Sequence, residues 1–126
     1  MQIRAVVLGI IACCLLFGPV RAADHTAGLI VFKGDGTSIW VTVPFAEDEI
    51  SGADLIERSG LAVTEVSFGG LGIGVGGMEE TGCDVAECRK RLCQGPSRDD
   101  PYWQYFIGGT DGAWLTAPLG ISADKV

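Results

Sequence analysis

Ala5 to Val20 is an uncharged, mostly apolar run of 16 residues, preceded by Arg4 and followed by Arg21. This is the layout of a secretory signal peptide, and Val20-Arg21-Ala22 places its cleavage after Ala22. The run is shorter than the ~20 residues a spanning helix needs. Membrane contact is therefore expected only through this segment, if it stays uncleaved. Ile10-Ile11-Ala12-Cys13 loosely resembles a lipoprotein box, the alternative in which Cys13 carries a lipid. Removing 22 of the 126 residues leaves 104, expected as one secreted, extracytoplasmic domain over 23–126. A core of that size is marginal, and a covalent staple helps it.

Composition excludes several function classes. Sixteen acidic residues against nine basic ones give a net charge of −7, the reverse of a nucleic-acid footprint. Apolar residues make up 48% of the chain, too many for a disordered one. The single His rules out a His-pair zinc site, and the lack of Asn rules out N-glycosylation.

Leu29-Ile30-Val31-Phe32 and the alternating Ser38 to Val43 flank Gly34-Asp35-Gly36, the turn chemistry of a β-hairpin. Pro44 is expected to end the second strand. Ser51-Gly52-Ala53-Asp54 has the form of a capping box, and Gly60 suits the left-handed residue after a helix end. The spacing predicts a helix over 52–59. Leu61 to Val66 reads as a third strand, and six of the nine residues from Gly69 to Gly77 are Gly. Tyr102 to Ile107 and Trp114 to Thr116 read as two more strands, with a glycine-rich turn between them. This order predicts an α+β fold with one short helix on a mixed sheet.

Chemical motifs are sparse. Gly72-x-Gly74-x-x-Gly77 matches a dinucleotide fingerprint as a string, but no helix follows it and no βαβ unit surrounds it. Cys83, Cys88 and Cys93 sit in a loop insert from Gly82 to Pro101 with a basic tip at Arg89-Lys90-Arg91. Three thiols in an exported chain predict one disulfide and one leftover thiol. A metal site would lack its fourth ligand, and a cysteine nucleophile would lack a nearby base. The carboxylates at Glu47 to Glu49, Glu79-Glu80 and Asp99-Asp100 read as solvated loop acids. In Tyr102-Trp103-Gln104-Tyr105-Phe106, one strand face is expected to join the core. The other is a candidate platform for a ligand or partner, because Trp and Tyr combine apolar area with a polar handle.

Three pieces together resemble a known family. They are Ile50-Ser51-Gly52-Ala53-Asp54-Leu55-Ile56-Glu57-Arg58-Ser59-Gly60-Leu61, then Gly82-Cys83 with Cys88, then Tyr102 to Phe106 with Trp114 downstream. Over residues 28–126 the chain resembles the transcobalamin C-terminal-like secreted bacterial domains, a family of unknown function. The resemblance implies a β-grasp-like fold and a binding or accessory role. It also implies two departures. Gly76 stands where Cys-rich relatives carry a further Cys, and the chain stops at Val126 where relatives continue into a last, Trp-containing strand. That reads as a copy lacking its last strand.

The expected function is non-catalytic: a binding module for a small ligand, cobalamin-like or another uptake substrate, or for a protein partner. Trp103, Tyr105 and Trp114 are the candidate ligand-binding residues. Cys83, Cys88 and Cys93 are the disulfide candidates. No metal site is expected, and no cofactor is named by the sequence. The alternative is a structural subunit, without a small ligand, that pairs through an open sheet edge or a free Cys.

Overall fold

The computed structural model describes residues 22–97 and 99–126. All but the last residue of the predicted signal segment therefore lies outside the described residues. β1 (His25–Phe32) and β2 (Ser38–Phe45) form the expected hairpin, with Leu29 opposite Val41 and Val31 opposite Ile39. Lys33 N–H donates to Thr37 O at 2.9 Å across the turn, and Gly36 takes the left-handed φ of 85° there. The Asp35 carboxylate accepts from the Thr37 N–H and hydroxyl, an Asx turn that locks the loop.

Pro44 does not end β2; the strand continues to Phe45. Hydrogen-bonded pairs alternate with non-bonded ones along an antiparallel ladder. Counting from the Lys33–Thr37 bond, Pro44 falls opposite Thr26 in a non-bonded pair. Its missing N–H faces away from β1, so the ladder loses nothing.

α1 (Gly52–Ser59) has the predicted bounds and caps. The Ser51 hydroxyl accepts the Asp54 N–H at 3.1 Å, the Asp54 carboxylate accepts the Ser51 N–H at 3.2 Å, and Gly60 closes the helix at φ 73°. The helix buries Leu55 and Ile56, each worth about 1.5–3 kcal/mol on leaving water. They join two clusters. Ile56 packs with Val31, Met78 and Ile121, and Leu55 with Val43, Phe45 and Ile50. The last residues strap this layer: Ala53 N–H donates to Ile121 O at 2.8 Å, and Val126 N–H to Ile50 O at 3.0 Å.

β3 (Val63–Ser67), β4 (Ile73–Met78) and β5 (Thr81–Gly82) make a second sheet, and β6 (Phe106–Gly108) and β7 (Trp114–Thr116) a third. Each pairing is antiparallel. The α+β class holds, but the strands divide among three small sheets instead of forming one. The insert is not all loop. It holds a second helix, α2 (Val85–Arg91), whose N-cap Asp84 accepts the Glu87 N–H at 2.9 Å. Arg89, Lys90 and Arg91 fill its last turn, where the helix dipole favours cations.

The strand expected over 102–107 is mostly absent, and only Phe106 and Ile107 of it are laddered. The ladder ends because its partner turns away. After Ala117 N–H bonds Tyr105 O, the chain bends through Pro118 to Gly120, and the Asp124 carboxylate captures the Leu119 N–H. No helix among the described residues is long and apolar enough to cross a membrane.

Candidate functional site

An open groove of about 1060 Å³ lies between β1, β4 and the aromatic segment 102–108. Six consecutive β1 residues, Ala27 to Phe32, line it. Alternate residues of a strand point to opposite faces, so a groove lying on one face would meet only every second one. Lining by all six means that the groove runs along the strand's edge.

That edge is free. Among the described residues β1 pairs with β2 alone. Since Val31, Leu29 and Ala27 form the hydrogen-bonded pairs with β2, the backbone N–H and C=O groups of Gly28, Ile30 and Phe32 point the other way. No backbone partner meets them among the described residues. β4 is the middle strand of its sheet, and β5 pairs with Gly77 and Met78 on the side away from β3, so only its first residues offer a short stretch of edge on the opposite wall. Phe68 N–H donates to Gly72 O at 2.9 Å, which sets Ile73 and Val75 in non-bonded pairs with β3. Their backbone groups face away from β3, and the Ile73 N–H reaches the Ser122 hydroxyl at 3.4 Å.

Trp103, Tyr105 and Trp114, the three residues singled out from the sequence, all line this groove. They sit in it differently. Trp103 and Tyr105 are half-buried and packed against the Val31–Ile56–Met78–Ile121 cluster, whereas Trp114 is 58% exposed. The face expected to be a platform is thus also the face that completes the core. The Tyr105 hydroxyl is buried without a hydrogen-bond partner and lies over Gly52, where a β-carbon would stand 2.6 Å from it. Glycine at the first position of α1 is what admits the ring. Burial, reinforced by the Asp124 charge, pushes the Tyr105 phenol above its ordinary pKa. Tyr102 and Phe106 point to the more exposed side.

The lining has a single chemical character. Among its 25 residues there is no Asp, Glu, Lys, Arg or His, although the whole chain carries 16 acids. Six are aromatic: Phe32, Tyr102, Trp103, Tyr105, Phe106 and Trp114. Such a surface binds by area and shape, with backbone groups and hydroxyls giving orientation.

The cysteines lie apart from this groove. Cys88 and Cys93 are within disulfide-bonding distance of each other, and Cys83 is the leftover thiol, donating to Gly76 O at 3.4 Å. The glycine-rich stretch finds its reason here. β-Carbons at Gly74 and Gly76 would each stand 2.9 Å from a sulfur, of Cys93 and Cys88 respectively. The bare face of β4 is the bed of the disulfide, while Ile73 and Val75 pack on the core. No cluster of three or more His, Cys, Asp or Glu suited to a metal ion occurs among the described residues.

Reasoning from sequence missed the β1 and β4 edges. The signal was present in Leu29-Ile30-Val31-Phe32, a run apolar at every position. That is how a strand covered on both faces and flanked on both edges reads, unlike the alternating β2. Comparison with protein-family models, with curated proteins and with solved structures finds no match.

Proposed function

We propose that the chain is an exported, non-catalytic binding module, and that the groove takes up an uncharged, largely apolar ligand or partner segment. The observation that carries this reading is the lining itself: 25 residues without one charged side chain, in a protein of net charge −7. A contiguous apolar surface of this kind marks an interaction site. Among the described residues the groove holds no carboxylate, imidazole or amine side chain for acid–base work; its only phenols are Tyr102 and Tyr105. The apolar run Ala5 to Val20 supports export. The resemblance to transcobalamin C-terminal-like domains adds cobalamin as a ligand to test beside an apolar one, since its amides and phosphodiester make it more polar than the lining.

The test is an NMR amide and indole spectrum of the oxidised protein, recorded with cyanocobalamin and separately with the neutral apolar dye Nile red. The reading expects the indole signals of Trp103 and Trp114 to move with at least one of them, while that of Trp40, on β2 outside the groove, stays in place. An unchanged spectrum with both ligands overturns it.

A further inference from the structure

We propose that the groove's occupant is an extended, uncharged segment of another polypeptide, lying as a strand along the free edge of β1. This deepens the binding-module reading and rests on it.

Four observations converge on a strand. The first is that the groove borders a strand edge, shown by its lining with consecutive β1 residues. The backbone groups of Gly28, Ile30 and Phe32 offer it a row of donors and acceptors at the spacing of every second residue. Only an extended backbone matches that repeat. The second is the opposite wall, lined by Ile73 and Val75, whose backbone groups point away from β3, with the Ile73 N–H held by the Ser122 hydroxyl and the rest without a backbone partner among the described residues. One inserted strand would join the two-stranded and three-stranded sheets into a single sheet over their shared core.

Size agrees. A strand of six residues occupies roughly 950 Å³, taking about 4.8 Å between strands, about 10 Å between packed layers and about 3.3 Å per residue. The groove measures about 1060 Å³. The fourth observation is charge. A lining without charged side chains offers an incoming acid or base no counter-ion, and burying one unpaired is costly. The segment is therefore uncharged over about the six residues that face Ala27 to Phe32, and its ends are free to carry charge outside the groove.

The experiment titrates the oxidised protein with three probes. They are an acetylated and amidated Thr-Val-Thr-Val-Thr-Val peptide, the same peptide N-methylated at alternate amides, and Nile red. Hydrogen exchange at the Gly28 and Ile30 amides is followed throughout. The expected result is binding of the plain peptide, slowed exchange at both amides, and affinity at least about tenfold lower for the methylated peptide, as loss of paired backbone donors implies. The Gly28→Pro variant removes an outward N–H without touching the β1–β2 ladder. It is expected to weaken the peptide about tenfold, and to weaken it more than it weakens Nile red, which makes no ladder of backbone bonds.

Nile red binding without peptide binding, or a methylated peptide that binds as well as the plain one, overturns the strand and leaves the binding module standing. Binding of neither probe overturns both. Protection of Gly28 and Ile30 that rises with protein concentration alone, together with a dimer mass, overturns the proposal in favour of a second copy of this chain.

Discussion

Gly76 lies against Cys88 with no room for a side chain: a β-carbon on Gly76 would lie 2.9 Å from the Cys88 sulfur and 3.2 Å from the Cys83 carbonyl oxygen. Cys88 is fully buried there. Neither the backbone oxygen nor the bridged sulfur can swing aside as a surface side chain would. Gly76→Ala is therefore expected to destabilise the oxidised protein by about 1–3 kcal/mol, the usual cost of overpacking. Urea denaturation checks this, and Gly28→Ala, which meets nothing within 4 Å, is the control.

Ser51 is the only buried polar residue among the described residues, and its hydroxyl both accepts the Asp54 N–H and donates to the Asp54 carboxylate at 2.7 Å. The Ser51 hydroxyl and N–H, both donating to it, hold the Asp54 carboxyl below the ordinary aspartate range. Ser51→Ala leaves a helix donor unpaired and is expected to cost about 1–2 kcal/mol in denaturant titration.

Glu47 forms a bidentate pair with Arg58, at 2.7 and 2.9 Å, which brings its pKa down to about 2. A carboxyl depressed in the folded state adds stability above its unfolded pKa and loses it as pH falls through the folded value. The contribution is thus present above about pH 4.5 and fades toward pH 2. Both side chains are exposed, so salt screens the pair. Glu47→Gln is expected to flatten the acid limb of the stability–pH curve, more at low ionic strength than at high.

Glu79 and Glu80 occupy the two-residue turn between β4 and β5 with positive φ of 46° and 63°, where Asn-Gly is preferred. Glu79 has compensation, because its carboxylate accepts the Ala62 N–H at 2.6 Å and its carbonyl the Lys33 ammonium at 3.1 Å. Glu80 has no such contact among the described residues. Glu80→Gly is expected to raise stability by about 1 kcal/mol, seen as a higher melting temperature.

The three aromatic candidates separate by depth. Trp114→Ala is expected to change stability by no more than about 0.5 kcal/mol, as for an exposed site, while lowering Nile red affinity. Trp103→Ala removes a half-buried core contact and is expected to cost about 2 kcal/mol or more, so it cannot report on binding alone. Tyr105→Phe deletes a buried hydroxyl that has no partner and is expected to be neutral or stabilising in the free protein. Thermal melts and dye titrations on the three variants distinguish these outcomes.

Local chemistry explains which parts of the fold were legible. The α1 bounds followed from Ser51, Asp54 and Gly60, since a cap is written within a few adjacent residues. The hairpin turn followed from Gly34-Asp35-Gly36 in the same way. The break at Tyr105 was hidden, because it depends on where a partner strand turns, at Pro118 to Gly120, residues distant in sequence. The short helix α2 was legible only weakly. Its cap at Asp84 is clear, but its seven residues are too few to show a period. The alternation in Tyr102 to Phe106 divided the residues into two faces, but the face expected as the platform, Trp103 and Tyr105, is the one that packs on the core, and the pattern said nothing of the β1 and β4 stretches that the groove runs between.

Pro44 gives the β1–β2 ribbon a polarity. On the β2 side, one outward position lacks its donor, and a strand arriving there meets an interrupted ladder. On the β1 side, Gly28, Ile30 and Phe32 offer theirs without interruption. The ribbon has one adhesive margin and one blunted margin. A strand seeking the longer unbroken ladder therefore pairs along β1 and not along β2.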